Sequence, residues 1–130
     1  MKLSKSEKKK IEAFVHSKAK KYLILLGTPD IDVNVFYSPE EEKDGIAAEI
    51  LTVIEYQFLK IWLFKPFFIE WGKKDYKYCE EIIRHEIAHT LTTRVKRLAF
   101  DRFTTEKEIR EADEYVTTVV ERLLGKIADI

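Results

Sequence analysis

The sequence predicts an α+β domain in which an N-terminal helix and a small three-stranded sheet precede two further helices that pack against each other. Three observations favour this class. Apolar residues repeat at helical spacing at both ends of the chain, they alternate or run continuously in its middle, and turn residues separate these stretches. The 130 residues predict a single domain spanning positions 1–130, because a chain of this length buries one core.

The first helix is predicted to begin near Ser4 or Ser6, either of which can cap its N-terminus. Lysines occupy mainly one face, which is typical of the solvent-exposed side of an amphipathic helix. The turn at residues 27–30 ends this helix. Its apolar stripe is predicted to comprise Ile11, Phe14, Val15, Tyr22, Leu25 and Leu26.

Three strands are predicted in the middle of the chain. Residues 31–37 alternate in polarity, and residues 46–57 and 59–71 are rich in β-branched and aromatic side chains. Pro66 cannot donate a ladder hydrogen bond, so the last run is predicted either to be interrupted there or to lie at a sheet edge. Its aromatic residues are predicted to pack on helices, and an exposed edge that pairs with a peptide is the alternative.

The next helix, predicted over residues 76–98, contains an H-E-x-x-H sequence at positions 85–89. Residues at i and i+4 project from the same face of a helix, so His85 and His89 can bind one ion, for which two imidazoles favour Zn²⁺. Glu86 lies about 100° round the helix, close enough to accept a proton from a water molecule at that ion. These residues predict a zinc site with Glu86 as general base.

The spacing of the motif does not identify the third ligand. A metzincin would carry its third histidine at Val95 and a glycine at Thr92, so that subclass is excluded. His16 belongs to the first helix and is a poor candidate. The last helix is predicted from a cap at Thr104 or Thr105 to about residue 127, with Glu108 at capping-box distance from Thr105. The carboxylates available as ligands are Asp101, Glu106, Glu108, Glu111, Asp113 and Glu114.

Residues 79–124 resemble the gluzincins, zinc peptidases in which a second helix after the H-E-x-x-H helix supplies a glutamate ligand. The upstream α-β-β-β order is similar to the compact single-domain minigluzincins. The resemblance implies that Glu114 is the third ligand, with Glu111 as the alternative. Thr118 stands four residues after Glu114, where the family often has an acid that bonds a ligand histidine. The apolar residues that follow a gluzincin ligand are matched after Glu114 by Tyr115, Val116, Val119, Val120 and Leu123.

The resemblance further implies a zinc-dependent endopeptidase that acts on a peptide or an unfolded protein. No residue matches the family's oxyanion-stabilising motifs, and Tyr115 and Arg84 are candidates by residue type alone. A chain this short leaves no room for a lower lobe, so we expect an open site and weak, unselective cleavage, restrained by self-association or by the chain's own tail. The alternatives are a regulatory protein with the same fold and a structural zinc-binding domain. Glu86 argues against both, because neither requires a carboxylate there.

Composition limits the expected partners and compartment. The formal net charge is zero, so nucleic acid is not expected as a partner. No apolar run is long enough to span a membrane. No signal peptide is expected, because no long apolar stretch follows the basic residues at positions 1–10. Cys79 is the only cysteine, which excludes an internal disulfide and favours the reducing cytoplasm. We expect Cys79 to be a small buried apolar residue rather than a metal ligand.

Overall fold

The computed structural model describes residues 3–53, 58–100 and 105–129, with all side chains in these ranges except those at positions 53, 91 and 93–100. The α+β class is confirmed. In chain order the elements are α1 (Lys5–Leu25), β1 (Asp32–Ser38), β2 (Ala48–Val53), β3 (Phe58–Phe64), α2 (Lys65–Gly72), α3 (Tyr76–Phe100) and α4 (Glu106–Ala128).

The sheet is mixed, and its strand order is β1-β3-β2. Strand β3 lies in the centre, parallel to β1 and antiparallel to β2, and Ile61 is paired with both Val35 and Ile50. Leu59, Ile61 and Leu63 of β3 are fully buried, which places the middle of the core at this strand. An exposed edge on the third β run was the alternative for peptide pairing, and it is wrong because β3 has a neighbour on each side. The edges belong to β1 and β2.

The third predicted strand is correct only as far as Phe64. Helix α2 begins at Lys65 with Pro66 in its first turn. The N–H groups of a first turn have no acceptor within the helix, so a proline there costs no helical hydrogen bond. Phe67, Phe68 and Trp71 therefore belong to a helix, and the two phenylalanines are buried in the core. The end of the second predicted strand, residues 54–57, lies outside the described residues.

Two side-chain caps predicted from the sequence are confirmed. Ser4 Oγ accepts a hydrogen bond from the backbone N–H of Glu7 at 3.1 Å, which satisfies one free donor at the start of α1. Thr105 Oγ1 does the same for Glu108 at 3.2 Å at the start of α4. The other proposed cap of α4, Thr104, lies outside the described residues.

The buried stripe of α1 differs from the predicted one at its C-terminal end. Leu25 is 41% exposed, whereas Leu23 is fully buried beside Tyr22. We expect Leu23→Ala to lower the free energy of unfolding by about 2–5 kcal/mol, because it removes buried methyl groups and leaves a cavity. Leu25→Ala is the matched control and should change it by no more than about 0.5 kcal/mol. Urea denaturation measures both, and equal losses would contradict this packing.

Helices α3 and α4 pack against each other, α3 also contacts β2, and α1 contacts both helices. At Gly125 of α4 a Cβ atom would lie 2.8 Å from Nη1 of Arg84 on α3, so a glycine permits this close approach. The Arg84 guanidinium lies over the ring of Tyr22 and within 3.4 Å of Glu121. Among the helices of the described residues, none is both long enough and apolar enough to cross a membrane.

Candidate metal centre

The two histidines of the motif project from one face of α3 into the space between α3 and α4. Their rings are 5.0 Å apart between centroids and nearly perpendicular. Glu114 of α4 meets them from the opposite side. Its Oε2 is 3.4 Å from Nε2 of His85, and its Oε1 is 3.2 Å from Nε2 of His89. One donor atom from each of the three residues lies within 4.8 Å of the other two.

The chemistry of these donors fits zinc. Two imidazole nitrogens and one carboxylate oxygen form a three-ligand set of the kind found in catalytic zinc sites, in which a fourth position stays open. The side chain of Glu114 is 59% exposed, so solvent can reach the three donors. A closed structural site would need a fourth protein ligand, and the cluster of described residues contains three.

The other ligand candidates from the sequence do not join this cluster. Glu111 is exposed and lies 3.9 Å from Lys107 on the same helix. Glu106 pairs with Arg110, and His16 pairs with Glu12 on α1. Asp101 lies outside the described residues. Glu108 is exposed and is not part of the cluster. Asp113 lies near Nδ1 of His89, on the side of the ring away from Nε2 and Glu114.

Two threonine hydroxyl groups in contact with each other support the ring of His89. Thr92 Oγ1 and Thr117 Oγ1 are 2.9 Å apart, and Thr117 Oγ1 is 3.2 Å from Nδ1 of His89. Asp113 Oδ2 lies 3.6 Å from the same nitrogen and Oδ1 accepts a hydrogen bond from Thr117. A proton on Nδ1 donated to Thr117 Oγ1 leaves the lone pair of His89 on Nε2, which faces Glu114.

The resemblance puts Thr118 where the family often has an acid that bonds a ligand histidine, but the structure places Thr117 and Asp113 beside His89 instead. Thr117 is fully buried, whereas Thr118 is half-buried one residue further along α4. The signal was present, because Asp113 and Thr117 are four residues apart and therefore share one face of α4. The packing of α4 on α3 turns this face toward His89. The spacing of Asp113 and Thr117 along α4 does not reveal that packing.

We expect Thr117→Val to weaken zinc binding by about 10–100-fold, because losing the support of a ligand histidine costs affinity of that order. Valine has nearly the shape of threonine, so the helix packing should survive. Thr118→Val is the matched control and should leave affinity unchanged. Competition with a chromophoric chelator measures both affinities. Equal effects of the two changes would contradict the support of His89 by Thr117.

Glu86 is buried beside this centre, although it lies outside the main apolar stripe of α3. Its exposed fraction is 9%, and its neighbours Ile87 and Ala88 are fully buried. Burial first, and then the negative charges of Glu114 and Glu49, raise the pKa of Glu86 to about 8. A cation bound between the three donors would favour the carboxylate form and so lower this pKa.

A groove of about 810 Å³ runs past the centre between β2, α3 and α4. Its floor contains His85, Glu86, His89 and Glu114, and one wall is formed by β2 from Ala48 to Thr52. Because β2 is an edge strand, this wall offers backbone hydrogen-bonding groups that the sheet itself does not use.

The two residues considered for oxyanion stabilisation do not line this groove. Arg84 packs against Tyr22 and Glu121, and Tyr115 is 73% exposed on the outer side of α4. Among the described residues, Arg110 is the arginine or lysine that lines the groove, and it donates two hydrogen bonds of 2.9 and 2.6 Å to Glu106.

Cys79 takes no part in the centre. It is fully buried, and burial raises the pKa of its thiol to about 12, as expected for a small apolar residue rather than a zinc-binding thiolate.

Comparison of the chain with protein-family models, with curated proteins and with solved structures finds no match. Its function must therefore be argued from the site.

Proposed function

We propose that this chain is a zinc-dependent endopeptidase of the gluzincin type, with zinc held by His85, His89 and Glu114. The observation that carries the proposal is the convergence of three donors from two helices beside a buried glutamate. The histidines come from a single motif, but Glu114 is 25 positions beyond His89 on a different helix. The resemblance to gluzincins implies the same glutamate independently of this geometry.

Zinc at these ligands would supply a Lewis acid that acidifies water and polarises a carbonyl group. Glu86 lies on the floor of the same groove, so its carboxylate can accept a proton from water and pass it to the leaving amine. Thr117 and Asp113 keep Nε2 of His89 directed at the centre. Glu86 therefore has the role of general base and then general acid.

The groove supports an extended peptide as the substrate. A peptide alongside β2 can add a strand to the sheet through main-chain hydrogen bonds, which every sequence offers equally. Ile46 and Leu51 line the groove and are partly exposed, so they provide shallow apolar contacts for side chains. This arrangement favours unfolded protein segments and weak sequence preference.

The compartment proposed for this enzyme is the cytoplasm. Cys79 is the only cysteine, and its burial keeps it from forming a disulfide with another chain. A protein without disulfides is typical of a reducing environment.

Two measurements on the full chain test the proposal. Protein loaded with zinc and then desalted should contain about one ion per chain, because one three-ligand site is present in the described residues. It should cleave an unfolded protein, and a chelator should abolish this cleavage until zinc is restored. Folded protein that retains no zinc would refute the site. One bound zinc without cleavage would refute the peptidase and favour a structural zinc domain instead.

A further inference from the structure

Helix α4 has a second apolar face that is exposed to solvent. Its buried face, with Ile109, Thr117 and Leu124, packs toward α3. About a quarter of a turn away lies a line of exposed apolar residues, here called the outer stripe. Its large members are between 39% and 73% exposed, which is typical of a surface that contacts another protein. The outer stripe consists of Ala112, Tyr115, Val116, Val119, Leu123 and Ile127.

Four exposed charged residues follow one side of the outer stripe. Glu108 and Glu111 accompany its first half, and Arg122 and Lys126 accompany its second half. Glu108 and Lys126 are about five turns apart, and Glu111 and Arg122 about three turns apart, so each pair occupies nearly the same angular position on α4. This side of the stripe is therefore acidic at its beginning and basic at its end.

We propose that the outer stripe pairs α4 with α4 of a second copy of this chain in an antiparallel, two-fold arrangement. A two-fold axis near position 117 places Glu108 opposite Lys126 of the second copy and Glu111 opposite Arg122 of the second copy. Both pairs have almost the same midpoint, so one axis satisfies them together. A parallel arrangement would leave the acidic half of one helix far from the basic half of the other.

The apolar residues fit the same axis. Ala112 comes level with Leu123 of the second copy, so a small side chain faces a large one. Tyr115 comes level with Val119 of the second copy near the middle of the interface. Ion pairs at a solvent-exposed rim contribute little to affinity, so they select the orientation while burial of the outer stripe provides most of the association free energy.

This pairing does not depend on the proposed peptidase function. Arg110 and Glu114, which line the groove, lie on roughly the opposite side of α4 from the outer stripe. The dimer consequently leaves the groove open, and its formation requires neither zinc nor Glu86. Self-association of this kind would not restrain cleavage.

Analytical ultracentrifugation of the full chain, with and without zinc, tests the association. A dimer is expected, and Val119→Glu should raise its dissociation constant by more than about tenfold, because each dimer would bury the new charge twice. Ile24→Glu is the control, since Ile24 is equally apolar and 60% exposed but lies on α1. It should leave the dissociation constant unchanged. A chain that stays monomeric at every concentration would overturn the proposal and leave the stripe to a different protein, and a dimer insensitive to Val119→Glu would also overturn it.

Disulfide crosslinking tests the orientation. Val116→Cys lies near the axis and should form a disulfide between two copies on oxidation. Leu123→Cys should not, because the two cysteines would be about 18 Å apart along the helices. The native Cys79 is fully buried and does not compete. Crosslinking through Leu123→Cys would overturn the antiparallel arrangement, whether or not Val116→Cys also crosslinks.

Discussion

Glu86→Gln is expected to abolish peptide cleavage while zinc stays bound. The amide has nearly the shape of the carboxylate but cannot accept the proton from water, and loss of a general base costs about 10²–10⁴-fold in rate. His85, His89 and Glu114 are untouched, so metal content should remain at the wild-type value. Cleavage of an unfolded protein and zinc analysis on the same preparation measure the two quantities.

Glu12→Gln provides the control for this experiment. It makes the same chemical change on α1, at an exposed residue that pairs with His16. Its cleavage rate should equal that of the wild type. If Glu86→Gln cleaved as fast as this control, Glu86 would not be the base and the mechanism proposed above would be wrong.

The second large effect is expected at the third ligand. Glu114→Ala should weaken zinc binding by more than about 100-fold, because it removes one of three donors and not merely a residue that supports one. Glu111→Ala is the matched control, with the same substitution three residues earlier on α4. Its side chain is 67% exposed beside Lys107, so zinc affinity should not change.

Competition titration with a chelator of known affinity distinguishes these outcomes. Equal affinities of Glu114→Ala and wild type would exclude Glu114 as a ligand. A loss confined to Glu111→Ala would instead require α4 to sit about one turn away from its present register on α3.

Local signals were sufficient to predict most of the elements. Ser4 and Thr105 cap their helices through bonds that span three residues, so the sequence alone contains all that the caps require. The pair His85 and His89 is likewise a property of one helix. The resemblance to gluzincins also pointed to Glu114, and the structure places its carboxylate beside both imidazoles.

Features that depend on neighbouring elements were harder to predict. A short apolar and aromatic run suits a buried strand or a buried helix equally well, which is why α2 was assigned to a strand. Leu23 and Leu25 are two residues apart on α1, and which of them is buried depends on the direction from which the core meets the helix. Thr117 was missed for the same reason, because its partner His89 lies on another helix.

The glycine at position 125 has a consequence for a residue next to the metal centre. A side chain there would meet the Arg84 guanidinium, whose Nη1 would lie 2.8 Å from the new Cβ atom. Because this group is the end of a flexible side chain, the guanidinium would move rather than the helix, at the expense of its contacts with Tyr22 and Glu121. A substitution at Gly125 is thus expected to cost the contacts of Arg84 without moving His85, His89 or Glu114.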